Sequence, residues 1–229
     1  MPAEAEAVIR RTAGERQAPV LSVREVFGDD VGACPETSLE GDYQRWNAAT
    51  AVLTVRQLRR IFPIDDAAVA AGLRRVEWAG RWQRLSVGGR SVVLDASHNP
   101  EGAGVLDQNL RRLVAGTGRP PVIVTGVLGE YRARALLEVV CRHAAEVHLV
   151  PPRTERACTH EQMEAAAPAG RRALLRRGSL EALFPDAHTC AVGGPDDTVV
   201  VTGSIYLLGE VLARLEPARG PGEGRLQDY

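Results

Sequence analysis

The stretch from Ser91 to Ala103, SVVLDASHNPEGA, constrains this chain more than any other. Apolar and β-branched residues run straight into Asp95. Two small residues follow, then His98, Asn99 and Pro100, then an apolar pattern at Val105, Leu106, Leu110 and Leu113. That order reads as a buried strand, a short polar turn and a helix that opens at the turn. In an α/β sheet such a turn marks the carboxyl end of a strand, the usual edge for ligands. An acid, an imidazole and an amide within five residues make a candidate site there. Asp95 and Asn99 equally fit simple helix caps, and His98 an ordinary turn residue.

The remainder of the chain repeats the strand–helix alternation. Trp82 to Val87 reads as a strand, joined to Ser91–Leu94 by a Gly88-Gly89 hairpin signal. A helix is expected over about 101–114, a strand over 121–125 and a helix through Leu136 to Val140. A strand over 146–150, a helix near 160–167 and a helical stretch over 171–184 follow. Thr198–Thr202 is the last strand, with the last helix over Ser204–Leu215. This alternation predicts a three-layer α/β domain with a mostly parallel sheet over residues 82–216.

Residues 1–81 read differently. A helix over 3–13, a short strand over Pro19–Val23 and a loop over 24–40 precede a longer helix with Asp42 as N-cap. Its apolar stripe is Trp46, Ala49, Val52, Leu53, Val55 and Leu58. Pro63 breaks the chain, and Asp65-Asp66 opens a second helix that closes on Arg74 and Arg75. One helix and one strand cannot bury a core, so this opening reads as the trailing part of a domain whose body lies elsewhere. Residues 217–229 are Gly/Pro-rich and predict a mobile tail.

Composition excludes several functions. The formal net charge is −1, which gives no global pull towards nucleic acid or an anionic membrane. No apolar run approaches a membrane span, and the opening residues lack a secretory signal pattern, so the default location is cytoplasmic. Cys34, Cys141, Cys158 and Cys190 lack Cys-x-x-Cys spacing, so no zinc site or disulfide framework is expected. All 28 basic residues are arginine. A P-loop needs a lysine in G-x-x-x-x-G-K-[ST], and this sequence has none. A hydrolase of the G-x-S-x-G kind finds no motif either.

Four stretches, in order, carry a resemblance: LEGDYQRWNAATA over Leu39–Ala51, VEWAGR over Val76–Arg81, VVLDASHNP over Val92–Pro100 and VVVTGSIYLL over Val199–Leu208. Together they resemble the C-terminal half of the folylpolyglutamate synthase/dihydrofolate synthase family, a branch of the Mur ligase superfamily. That family's patterns are G-x-[HY]-Q-x-x-N-A, W-P-G-R, D-G-A-H-N-P and T-G-S-x-Y-L. Ala79 stands for the proline, Ala96-Ser97 for Gly-Ala, and Gly129-Glu-Tyr-Arg132 where the family often has an Asp-Lys-Asp run.

The resemblance implies a Rossmann-like C-terminal domain preceded by a helical remnant of the central ATPase domain. It implies an ATP-dependent ligase that adds L-glutamate to a folate or dihydropteroate carboxylate through an acyl phosphate, with Mg2+ as cofactor. By the same resemblance Asn47 meets the adenine or ribose edge of the nucleotide, an amide offering donors and acceptors together. Arg81 reaches the phosphates, and Asp95 takes a ribose hydroxyl or holds Arg81. His98 is the candidate catalytic residue beside the incoming glutamate, and Ser204 helps bind the glutamate carboxylate at a helix start. Ser204 also fits a plain N-cap, Asn47 a surface helix residue and Arg81 a solvated turn charge. Trp46, Trp78 and Trp82 are expected to pack. Asn47, Arg81, Asp95 and His98 are expected to converge on one wall of a cleft.

The P-loop, the magnesium carboxylates and the family's carbamylated lysine have no counterpart here, so this chain alone is expected to be inactive. The chain then reads as a fragment, a truncated gene product or one half of a split enzyme, and in the last case the P-loop part is a partner on a separate chain. The alternative is a non-catalytic binding or regulatory module that keeps the ligase fold.

Overall fold

The computed structural model describes residues 3–216. The stretch expected as a tail, 217–229, lies outside the described residues. The chain divides into two compact units between Glu77 and Trp78, earlier than the boundary read from the sequence after Arg81.

The first unit is helical: α1 (Ala3–Glu15), α2 (Val23–Phe27), a 3-10 turn at Val31–Ala33, α3 (Asp42–Leu58) and α4 (Asp66–Arg74). Helix α3 buries Gln44, Ala48, Ala49, Val52 and Leu53. Ala49, Val52 and Leu53 belong to the stripe read from the sequence, whereas Gln44 and Ala48 are buried in addition to it and Trp46, Val55 and Leu58 are not fully buried. The helix N-cap is Gly41, at φ +106°, and Asp42 is the first helical residue, where its charge still complements the helix dipole. Asp65 caps α4 by accepting from the Ala68 amide at 2.7 Å. The strand expected over Pro19–Val23 does not form. A lone extended segment has no partner for its amides, and Val23 instead begins α2. Helices α1, α2 and α4 contain no fully buried residue.

The second unit is a six-stranded sheet. Its strands are β1 (Arg81–Val87), β2 (Arg90–Asp95), β3 (Val122–Thr125), β4 (Glu146–Leu149), β5 (Leu175–Arg177) and β6 (Thr198–Thr202), in the order β1-β2-β6-β3-β4-β5. Only β1 runs antiparallel to its neighbour. Gly88 and Gly89, both with positive φ, make the β1–β2 hairpin turn. Helices α5 (Pro100–Thr117), α6 (Glu130–His143), α7 (His160–Ala166), α8 (Leu180–Leu183) and α9 (Ile205–Leu215) complete it.

Strand alternation separates the two faces. Val93, Ile123, Val147 and Val200 pack with α5, α6 and Met163 of α7 on one side. Val92, Leu94, Val124 and Val201 pack with Leu180, Phe184, Leu207 and Val211 on the other. The result is the expected three-layer α/β arrangement. One element differs from the sequence reading: residues 171–184, expected as helical, form a 3-10 turn over Ala169–Leu174, then β5, then the single-turn α8. Leu-Arg-Arg carries no β-branched residue. Its strand state comes from pairing with β4, not from local propensity.

Strand β6 enters between β2 and β3. The helices that follow β2 and β3 cover one face, and α9, which follows β6, covers the other. Loops therefore leave to opposite faces on both sides of β6 at the carboxyl edge, the position at which open α/β sheets take ligands.

Candidate functional site

Asp95 ends β2 at that edge. It is 2% exposed, and its Oδ1 accepts from the Ser97 amide at 3.0 Å. Burial pushes its carboxyl above the ordinary aspartate range. The Ser97 hydroxyl and amide, both donating to it, and the nearby Arg81 guanidinium pull the other way. The serine that departs from the family pattern is thus bonded to Asp95. In register, Asp95 faces Arg81 on β1 and Thr202 on β6.

Arg81 is exposed. The β1–β2 ladder shifts register between Arg81 and Gln83, and Trp82 takes φ +55° with its ring 5% exposed. This bulge lets the indole pack while Arg81 faces solvent. Trp82 is therefore a core residue, as expected, whereas Trp78 is 55% exposed. Gly80, at φ +73°, ties the preceding turn to the site: its carbonyl accepts from the Ala96 amide at 2.7 Å.

His98 is half-buried, and its Nδ1 lies 2.8 Å from the Ala96 carbonyl oxygen. A carbonyl only accepts, so Nδ1 carries the proton. In the neutral ring Nε2 then holds a lone pair. Asn99 is the N-cap of α5, its Oδ1 accepting from the Gly102 amide at 2.7 Å, with Pro100 at the first helical position. The capping reading therefore holds for Asn99 and not for Asp95.

Ser204 caps α9. Its Oγ accepts from the Tyr206 amide at 3.1 Å, which leaves the hydroxyl proton to donate. Gly203 joins this turn to the β2 turn by donating to the Ser97 carbonyl at 3.1 Å. At φ +106° a Cβ there would lie 2.5 Å from Thr125 Oγ1 and 2.7 Å from the Gly126 carbonyl, so only glycine fits.

Arg81, Asp95, His98 and Ser204 thus belong to one carboxyl edge. Asn47 belongs to the helical unit, on α3, where it is exposed and donates from Nδ2 to Gln44 Oε1 at 3.0 Å. Gln44 itself is 3% exposed, and its Nε2 has no partner among the described residues. Gln44 stands in the same Leu39–Ala51 motif as Asn47.

Three further groups escaped the sequence reading. Thr125 and Thr202 are fully buried register partners whose hydroxyls have no partner among the described residues. Their position in apolar strands hid them. Arg156 lies in a loop without a motif, and its guanidinium sits 5.8 Å from the centroid of the Tyr206 ring. Among the described residues no group of three or more His, Cys, Asp or Glu side chains is arranged to hold a metal ion. No helix among them is long and apolar enough to cross a membrane.

Known proteins are similar to this chain in sequence and fold. The glutamate ligase domain of the Mur ligases matches residues 80–205. Folylpolyglutamate synthase of Lacticaseibacillus casei is 29% identical over 180 residues, covering 77% of this chain and 39% of that protein. A probable bifunctional folylpolyglutamate synthase/dihydropteroate synthase of Halobacterium salinarum is 30% identical over 196 residues, 82% of this chain and 22% of that protein. The solved Mycobacterium tuberculosis folylpolyglutamate synthase, complexed with ADP and AMPPCP, superposes with a TM-score of 0.59 at 27% identity, over 77% of this chain and 41% of that one. The chain therefore spans well under half the length of these relatives.

Proposed function

The chain belongs to the Mur ligase family through its glutamate ligase domain, and on that premise we propose that it is the C-terminal portion of an ATP-dependent amide ligase. The ligase adds L-glutamate to a folate or dihydropteroate carboxylate. The observation that carries this reading is the carboxyl-edge cluster, in which Arg81 and Asp95 are register partners and His98 and Ser204 leave the adjoining turns.

In this reading ATP phosphorylates the folate-type carboxylate, and the amine of glutamate attacks the acyl phosphate carbon, expelling phosphate. Arg81 neutralises phosphate oxygens with a planar, permanently charged fork. Asp95 takes a ribose hydroxyl or holds Arg81 in place. Asn47 is assigned the adenine or ribose edge of the nucleotide by the resemblance alone. His98, oriented by its Nδ1 bond to the Ala96 carbonyl, offers Nε2 to the ammonium of glutamate and takes one proton so that the amine can attack; the second proton leaves with the expelled phosphate. Ser204 donates its hydroxyl proton to a glutamate carboxylate.

The P-loop comes from a separate part of the protein or a separate chain, because this sequence contains no lysine. The family's Mg2+ supplies charge neutralisation at the phosphates when bound. Among the described residues no group of three or more His, Cys, Asp or Glu side chains is arranged to hold it. The reaction belongs to the cytoplasm, where folates and ATP meet.

The test is direct. The purified chain, given ATP, magnesium, glutamate and dihydropteroate or tetrahydrofolate, is expected to release no ADP. Addition of the P-loop part is expected to start glutamate-dependent release. Steady release by the chain alone contradicts the division of labour. No release in the combined system leaves the fold as a non-catalytic binding module.

A further inference from the structure

We infer that Ser97 is a positioning residue, whose amide and hydroxyl together fix the Asp95 carboxylate beside Arg81; its bearing on the reaction rests on the ligase reading above. Asp95 is the last residue of β2, and its Oδ1 accepts from the amide two residues on, at 3.0 Å. That is an Asx turn, which sets one carboxylate oxygen. Any residue except proline supplies such an amide. The hydroxyl is different. Ser97 stands where the family pattern has alanine, and its side chain gives the same carboxylate a second donor. Asp95 is 2% and Ser97 8% exposed, so water competes little for these bonds. The backbone that carries the hydroxyl is held as well. The Ser97 carbonyl accepts from the Gly203 amide at 3.1 Å, and the preceding Ala96 amide donates to Gly80 at 2.7 Å. The first turn of α5 closes over it, since a Cβ on Gly102 would lie 3.3 Å from the Ser97 Cα.

The other neighbours of Asp95 do less. On β6 its register partner is Thr202, whose buried hydroxyl has no partner among the described residues and so does not bond to it. In the turn, His98 spends Nδ1 on the Ala96 carbonyl. Glu101, in the first turn of α5, is exposed. On β1, Arg81 acts through its charge. Burial pushes the Asp95 carboxyl up, and the Ser97 hydroxyl leads the groups that resist, ahead of the Ser97 amide and Arg81. The ionised form is the one both proposed roles of Asp95 require. A protonated carboxyl gives Arg81 no counter-charge, and one of its oxygens becomes a donor. Ser97 therefore extends the pH range over which the site keeps its carboxylate.

The experiment follows the side-chain carboxyl carbon of Asp95 by NMR through a pH titration of the full 229-residue chain, with Asp95→Asn to assign the signal. Ser97→Ala keeps the amide donor and removes the hydroxyl. Its Asp95 is expected to bind the proton about tenfold more tightly than that of the wild type. Ser97→Cys, a weak donor of similar size, is expected to fall between, and it carries the test with the same sign should Ser97→Ala fail to fold. Combined with the P-loop part, Ser97→Ala is expected to lose glutamate transfer at a higher pH than wild type on acidification. A merely structural role would lower the rate equally at every pH. An unchanged carboxyl titration in the folded variants overturns the role of Ser97. A displaced titration with an unmoved acid limb overturns its bearing on the reaction. A displaced titration in a system whose wild type transfers no glutamate supports the clamp on Asp95 and overturns the ligase reading alone.

Discussion

Arg81 and Asp95 face each other across the first two strands, a permanent cation on the exposed side of a bulge and a carboxylate that is 2% exposed behind it. Burial alone would favour the neutral acid. The guanidinium and the two Ser97 donors resist that, so the ionised form is held at a cost to the fold.

This cost has a sign. The folded Asp95 carboxyl titrates above its unfolded value, so the folded chain binds the proton more tightly. Its contribution is fully present below the unfolded carboxylate range and is lost as pH rises through the folded value. Asp95→Asn keeps an acceptor for the Ser97 amide and removes the charge. The variant is expected to melt higher than wild type at pH 7, with the difference vanishing at low pH. A lower Tm at pH 7 contradicts this description of the carboxylate.

Asp107 on α5 behaves oppositely. Burial raises it, but His143 Nε2 at 2.8 Å, Arg111 Nη2 at 2.8 Å and Arg142 Nη1 at 2.9 Å together hold it below the ordinary range. Its stabilisation is present above the unfolded carboxylate value and is lost as pH falls through the folded one. Asp107→Asn is expected to destabilise by about 1–3 kcal/mol at pH 7, a gap that closes on acidification. A gap that does not shrink as pH falls through the lowered range of the folded carboxyl would place the effect in packing instead.

Gly203 and Gly104 separate two kinds of glycine. Gly203→Ala meets Thr125 Oγ1 and the Gly126 carbonyl at a positive φ, and is expected to lose about 2–4 kcal/mol. Gly104, inside α5 with nothing within 4 Å of an added Cβ, is expected to gain about 0.5–1 kcal/mol on mutation to alanine. Chemical denaturation reads both. Equal effects would mean the turn at Gly203 relaxes freely.

Legibility followed locality. The strand, turn and helix around Asp95 were readable because Val92–Leu94, Asn99 and Pro100 each carry their own signal. Strand β5 was not, since Leu175–Arg177 becomes a strand only through β4. The strand expected at Pro19–Val23 failed for the same reason in reverse. Arg156 was invisible because its partners, Gly129 and Tyr206, are distant in sequence and its loop has no motif. The resemblance supplied roles for Asn47, Arg81, Asp95, His98 and Ser204 that periodicity could not.

All four cysteines are free and buried, and burial pushes the thiols of Cys141, Cys158 and Cys190 up. A thiol reagent is expected to label the native chain slowly and all four sites at once after unfolding. Rapid labelling of the folded chain would show that these side chains are accessible.

The most direct measurement is transfer of labelled glutamate to a folate-type acceptor by this chain combined with the P-loop part, wild type beside Asp95→Ala. Transfer by the wild type is expected, with more than a tenfold loss in the variant, above ~1.4 kcal/mol of transition-state stabilisation. Equal rates in the two would contradict a nucleotide site built around Asp95.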